Sequence, residues 1–492
     1  MSGARGRDGR ALVDPVAIFL LAFGLRLGVV LLSRGGPEGI FGYDAGVYYA
    51  AADAFVHGRL PYADFVLLHP PGVMLAVTPF ALLGRVTTDH TGFIVANTAF
   101  ELIGAANAVL VWLIARRMGC RRPAALAGGL FYAVWLGAIN AEISVRLEPL
   151  SSCAFLLALL ALSGSGRLGR RHAALAGLAL AAACSIKIWW IVPAAVVLAW
   201  LLRDRRRRSS VGWLLGGAAL LALVVDVPFL AAAPGTMWRM VVTEQLDRPA
   251  ISPPVRRIEE LTGLRTAFPA FHGVGAGVAL VAIVGIVVAV GVAAWQLRTS
   301  RMVVVVLIAQ LLVLAGSPSY FPFYAGYLAA ALALVVAAGA EARAGRRQWP
   351  GPAAAWAAAL TAAAFTGVAL ARPITLVAPF PAEQLQGAAR PVRCLISDSP
   401  AALIQLNALS RGLANGCPNC IDVTGRSYDL DATDESRARN PQWQRELRRY
   451  LFSGDAVIVV RPATGYSPAT RRALARHPVL GAAGGYVIRA VR

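Results

Sequence analysis

The sequence predicts a polytopic, all-α membrane protein with a small α/β domain at its C-terminal end, and three observations carry that expectation. The 492 residues are 57% hydrophobic and 15% charged, with a mean hydropathy of +0.61, too apolar for a soluble enzyme of this length. The apolar residues come in blocks suited to a bilayer, about 20 residues per crossing, and roughly eleven such blocks lie between Pro15 and Ala371. After Ala371 the blocks stop, and roughly 120 residues of ordinary soluble composition follow, enough for one small domain.

The expected spans are 15–33, 92–115, 124–141, 149–163, 173–186, 188–202, 211–232, 275–295, 302–315, 324–340 and 352–371. The formal charge of +21 does not point to nucleic acid, because the arginines cluster at the ends of apolar blocks instead of along one amphipathic face. The clusters are Arg5–Arg10, Arg116–Arg122, Arg167–Arg171, Arg203–Arg208, Arg298–Arg301 and Arg343–Arg347, at every second connection. An excess of basic residues marks cytoplasmic loops, which predicts a cell-membrane protein with its N-terminus inside and its C-terminal domain outside. The N-terminal block lacks a small-residue cleavage site and is expected to be retained.

Two outside loops are long within the membrane domain, 1–371. The first, 34–91, contains Pro70–Leu83, too short and Pro-broken to span and read as a helix at the interface. The second, 234–274, carries charges of both signs and is aqueous. In the tail, 372–492, Arg393–Ser397, Ala456–Val460 and Tyr486–Val491 read as strands, and Pro400–Leu413, Pro441–Phe452 and Ser467–Arg476 as helices. No Gly-rich phosphate loop accompanies them. An outside tail can oxidise its cysteines, so Cys394 is expected to pair with Cys417 or Cys420.

Acid, aromatics and histidine concentrate in the first outside loop: Gly42-Tyr43-Asp44-Ala45-Gly46-Val47-Tyr48-Tyr49, then Gly58-Arg59-Leu60-Pro61-Tyr62-Ala63-Asp64-Phe65, then His69-Pro70-Pro71-Gly72. A carboxylate this close to hydrocarbon is costly unless it is paired or used. At these residues the chain resembles the polyprenyl-phosphate-sugar-dependent glycosyltransferases of the GT-C superfamily, the group that includes protein O-mannosyltransferases and aminoarabinose transferases. The resemblance implies a GT-C fold and sugar transfer from a polyprenyl-phosphate donor to a glycan, lipid or protein acceptor of the cell envelope. It also implies that the first-loop aspartate, here Asp44, is the catalytic base. A carboxylate can take the proton of an attacking hydroxyl, and one direct displacement would invert the anomeric carbon.

The leaving phosphate wants cations near the membrane surface. Lys187 is the only lysine in the chain, set between two apolar half-blocks where a lipid phosphate would lie. Arg146 or Arg248 could hold phosphate or a sugar carboxylate bidentately, and Glu148 could orient the acceptor or pair with an arginine. Tyr43, Asp64, His69, Tyr320 and Tyr324 complete the expected acceptor or sugar contacts, the last two from an aromatic stretch that opens a late helix. His57 and His69 with Asp44 or Asp64 lack the tight spacing of a metal site, which leaves a divalent cation possible and no cofactor assigned. Two rival readings are a transporter or flippase for a lipid-linked sugar, for which charges in mid-membrane are expected, and an inactive scaffold of the envelope.

Overall fold

A computed structural model describes residues 5–163, 168–248, 253–342, 351–430 and 436–492. The arginines at 343–347 and Arg167 fall outside the described residues, as do the side chains of 5–11. The chain is mostly helical. Its membrane part is built from α1 (Arg5–Leu32), α2 (Tyr43–Val56), α3 (Gly72–Val86), α4 (Asp89–Arg117), α5 (Arg122–Val134), α6 (Leu136–Glu142), α7 (Leu147–Leu162), α8 (Arg170–Ile186), α9 (Ile191–Arg203), α10 (Val211–Val225), α11 (Val274–Gln296), α12 (Arg301–Gly316), α13 (Gly326–Glu341) and α14 (Gly351–Leu370).

Among the described residues, six helical segments are long and apolar enough to cross a membrane, or seven if α5 and α6, bent by 53° at Trp135, form one span. Four other expected spans are the helices α7, α8, α9 and α12, of 16, 17, 13 and 16 residues. At 1.5 Å per residue they reach only about 20–26 Å, short of the roughly 30 Å apolar slab. Length and composition therefore single out six or seven of the expected eleven. The expected span 211–232 is broken at Asp226, where α10 gives way to a short helix, Val227–Ala232.

Every residue of α13 is buried, and its Ala- and Gly-rich surface lets α5, α11, α12 and α14 crowd around it. The tightest crossing is between α8 and α10, where a Cβ on Gly177 would lie 1.9 Å from the Leu214 carbonyl and one on Gly217 would lie 2.1 Å from that of Ala174. A buried ion pair ties α1 to α6: Arg26 Nε donates to Glu142 at 2.9 Å, and the Tyr132 hydroxyl donates to the same carboxylate at 2.6 Å. With the Asn107 amide, which donates to it at 3.4 Å, three residues converge on one carboxyl and offset the cost of burying it.

The loop 34–91 is folded. The strand β1 (Ile40–Phe41) pairs antiparallel with β2 (Val377–Ala378) at the start of the tail, stitching the loop to the C-terminal part. The helix α2 is buried on nearly all sides between α3, α4 and the tail. The expected interfacial helix begins at Gly72 and runs to Val86.

The tail holds a four-stranded sheet in the order β3 (Leu395–Ser397), β4 (Ala456–Ile458), β6 (Tyr486–Ala490), β5 (Val479–Ala483), with β3 and β4 parallel and the remainder antiparallel. The expected helix 400–413 is two helices, Pro400–Gln405 and Leu409–Ala414, parted at Asn407, whose φ of 51° is left-handed. Cys394 and Cys417 are bridged, with Cα atoms 5.5 Å apart, and Cys420 keeps its thiol, which burial pushes up to about 12.

Candidate active site

The residues around position 44 are held from both sides. On the N-terminal side the β1–β2 pairing fixes Ile40 and Phe41. Gly42 follows, and a Cβ there would stand 3.0 Å from the Arg146 guanidinium, so a side chain would push against it. The helix α2 then begins at Tyr43, which places Asp44 in its first turn, where the helix dipole favours a negative charge. Asp44 is half-buried and faces a cavity of about 290 Å³. Among the described residues its carboxylate makes no hydrogen bond or ion pair.

Four separate stretches of chain bring cations and aromatics to that cavity. Arg146 caps α7 in an extended conformation, stacks at 4.1 Å on the Phe323 ring, and donates through Nε to Ser144 at 3.3 Å. Arg248, from the second long loop, donates to the Tyr324 hydroxyl at 3.2 Å and lies 5.4 Å from the centre of the Tyr428 ring. Gln245 pins that loop by donating to the Leu68 carbonyl at 2.6 Å. Among the described residues, Arg146 Nη1 and Arg248 Nε are buried without a hydrogen-bond partner. Buried N–H groups normally find acceptors, so both guanidiniums can still donate to a group that enters the cavity.

Glu148 lies one step further in, in the first turn of α7, and accepts from Lys187 Nζ at 2.8 Å with both side chains 2% exposed. The ammonium also sits 4.2 Å from the Trp189 ring centre and 4.1 Å from that of Tyr324. Lys187 reaches this position because α8 stops at Ile186 and the chain turns extended before α9. The lone lysine thus touches the cavity through Glu148 and Tyr324. His69 lines the cavity too, its ring 6.0 Å from that of Tyr48, and its pKa is held well below 6.5 by burial and then by the Arg248 and Lys187 charges.

The tail closes the cavity from above. Tyr43 donates its hydroxyl to Asp422 at 2.8 Å and accepts from the Thr424 N–H at 3.0 Å. The Arg461 guanidinium lies 3.8 Å over the Tyr43 ring and donates to the Thr424 hydroxyl at 2.7 Å. Asp398, at the end of β3, holds the Val460 and Arg461 N–H groups at 2.8 and 3.0 Å and so aims Arg461. Burial pushes the Asp422 carboxyl up from its ordinary range, against the opposing pull of the Gly425 N–H and the Tyr43 hydroxyl. Tyr43 is thereby occupied by the tail as well as lining the cavity. The Asp422-x-x-Gly425 cap was the one local signal that could have drawn attention to this segment.

Two expected contacts lie elsewhere. Asp64 is turned back on its own loop, accepting from the Leu60 N–H at 2.7 Å, and lines a different cavity. Tyr320 is buried in the helical core, 6.0 Å from the Tyr324 ring, with its hydroxyl unpartnered. The stretch opens the late helix α13 as expected, through a 3₁₀ turn at Pro322–Ala325, and only Phe321, Phe323 and Tyr324 of it face the cavity. His57 Nδ1 is 2.8 Å from the Asp53 carbonyl, at the far end of α2 from Asp44. Among the described residues no three His, Cys, Asp or Glu side chains group to hold a metal ion.

No protein-family model matches the sequence, and no curated protein matches it either. Solved structures do. ArnT from Cupriavidus metallidurans in the apo state superposes with a TM-score of 0.62 at 17% identity, over 99% of this chain and 98% of that one. The same protein bound to undecaprenyl phosphate gives 0.59 at 16%, over 100% and 99%. The oligosaccharyltransferase AglB from Archaeoglobus fulgidus, in complex with an inhibitory peptide and a dolichol-phosphate, gives 0.56 at 12%, over 91% and 69%. At these identities the likeness is one of fold.

Proposed function

We propose, from a multi-pass membrane protein with the GT-C fold, that this chain transfers a sugar from a polyprenyl-phosphate carrier to an acceptor hydroxyl at the membrane surface, with Asp44 as general base. One observation carries the reading: an unpartnered carboxylate shares a cavity with two arginines that keep buried, unpartnered N–H groups. The acceptor hydroxyl gives its proton to Asp44 as its oxygen bonds to the anomeric carbon. The bond from that carbon to the phosphate oxygen breaks, and its electron pair leaves on the polyprenyl phosphate, whose charge meets Arg146 and Arg248. A single displacement of this kind inverts the sugar. Lys187 neutralises Glu148 behind the site, while Tyr48, His69 and Tyr324 provide walls for the sugar.

The arginine-rich connections at Arg116–Arg122, Arg203–Arg208 and Arg298–Arg301 stand at the helix ends away from this cavity. By the positive-inside rule they are cytoplasmic, which puts the cavity and the tail outside. The donor is a hexose or pentose on a long-chain polyprenyl phosphate, and the acceptor a glycan, lipid or protein of the envelope. Support comes from the similarly folded proteins that were solved with undecaprenyl phosphate and with dolichol-phosphate.

The test uses purified full-length protein, a labelled polyprenyl-phosphate sugar and envelope extract as acceptor. Asp44→Asn should bind the donor and lose transfer by about 10²- to 10⁴-fold, the scale of general-base catalysis. Turnover within a few-fold of the unaltered protein removes Asp44 from the base role.

A further inference from the structure

At the other end of the bundle lies a second cavity, of about 260 Å³, that the transfer reaction does not use. It opens where the C-terminal ends of α4, α7 and α9 meet the connection between α11 and α12. Its distance from the candidate active site follows from α7, which carries Glu148 of that site in its first turn and ends at Leu162 here, roughly 21 Å away at 1.5 Å per residue.

The rim is basic and held in place. Arg117 donates through Nη1 to the Leu160 carbonyl at 3.0 Å, and Arg207 through Nη1 to the Leu162 carbonyl at 3.1 Å. Both guanidiniums are therefore anchored on the last turn of α7, whose C-terminal carbonyls and dipole attract cations. Thr299 donates to the Met118 carbonyl at 3.0 Å, which fastens the α11–α12 connection to the end of α4 and carries Arg298 to the same rim. Asp204 offsets part of the charge through Arg207, at 3.6 Å. Among the described residues, three arginines thus face one carboxylate. Beneath them the lining turns apolar, with Ile114, Leu159, Leu201 and Met302, and Trp200 stands at the boundary as interfacial tryptophans do.

A basic rim over an apolar floor at a bilayer boundary matches a phosphate group that arrives attached to acyl chains. We propose that this cavity binds the phosphodiester headgroup of an anionic phospholipid, with Arg117, Arg207 and Arg298 on the phosphate and the floor against the first chain methylenes. An arginine offers five N–H donors, so Arg117 keeps others for a phosphate after serving Leu160. The bound lipid bridges the α4–α7 pair to the α9–α12 pair and holds the two together. This reading is independent of what happens at Asp44.

The experiment takes delipidated full-length protein in detergent and follows its melting temperature and native mass spectrum during titration with phosphatidylglycerol, phosphatidylcholine or inorganic phosphate. Phosphatidylglycerol should bind and stabilise, phosphatidylcholine should do so far less, and inorganic phosphate should leave the melting temperature where it was. At about 1 kcal/mol per basic residue near a lipid surface, Arg117→Gln and Arg298→Gln should each weaken phosphatidylglycerol about five-fold. Arg298 is exposed, so Arg298→Gln alone keeps the test open should Arg117→Gln fail to express. Arg301→Gln removes the same charge from a residue outside the cavity, bonded to the Trp295 carbonyl, and should change nothing. Equal binding of phosphatidylcholine, or equal losses in all three variants, would overturn the site. Stabilisation by inorganic phosphate as large as that by phosphatidylglycerol would overturn the lipid as its occupant.

Discussion

Replacing Tyr43 by Phe removes one oxygen from the seam between the first outside loop and the tail. That oxygen donates at 2.8 Å to the Asp422 carboxylate and accepts at 3.0 Å from the Thr424 N–H, while the ring stays stacked under Arg461. A hydrogen bond to a charged acceptor is worth about 1.5–3 kcal/mol, and the orphaned Thr424 N–H adds a cost of similar size. Tyr43 immediately precedes Asp44, so part of this loss falls on the placement of the carboxylate. With 1.36 kcal/mol per decade in rate, losing about 1.4–2.7 kcal/mol of alignment lowers kcat about 10- to 100-fold. Donor KM should move little, because the arginines at the cavity are untouched. The assay is steady-state transfer by Tyr43→Phe, Asp422→Asn and the double variant. The hydroxyl and the carboxylate act as a unit, so the double variant should lose little beyond either single one. A Tyr43→Phe protein with unaltered kcat, or losses that simply add, would refute the idea that the tail sets the base.

Two further outcomes follow from burial. Lys187→Met leaves the Glu148 carboxylate buried without its 2.8 Å partner, which costs about 3–5 kcal/mol. Thermal unfolding in detergent should show the loss, and adding Glu148→Gln should recover most of it; a single variant as stable as the unaltered protein contradicts this. His69 has a depressed pKa in the fold, so as pH falls through about 6.5 the unfolded chain takes up a proton that the folded one resists. Its contribution to stability is complete above that pH and declines below it by up to about 1.4 kcal/mol per pH unit. His69→Gln should flatten the acid side of a melting-temperature profile, and an unchanged slope would assign the acid sensitivity elsewhere.

The membrane character and the separate tail were legible because the cost of exposing polar backbone to lipid forces long apolar blocks, and these survive in composition alone. Asp44, Arg146, Glu148, Lys187 and Arg248 stood out for a related reason, since charge beside hydrocarbon is rare enough to be noticed without any structure. The helix α2 was not legible: it is covered by α3, α4 and the tail together, so it has no polar face and no period to read. The edge strand β5, Val-Leu-Gly-Ala-Ala, has no polar residue to alternate with its apolar ones and no buried one, and left no pattern either. The roof of the cavity escaped because Asp422, Tyr428, Arg437 and Arg461 are ordinary residues of a soluble domain until the fold sets them over Tyr43 and Asp44. The short helices α7, α8, α9 and α12 read as full spans because apolarity was visible and the exact helix ends were not.

The most direct measurement is a structure of the Asp44→Asn protein with a polyprenyl-phosphate sugar trapped in it. The donor phosphate should touch the guanidinium of Arg146 or Arg248, with the anomeric carbon turned toward residue 44 and the acceptor space open beside it under Arg461. A donor whose phosphate lies away from both arginines, or whose sugar points away from position 44, would contradict the account.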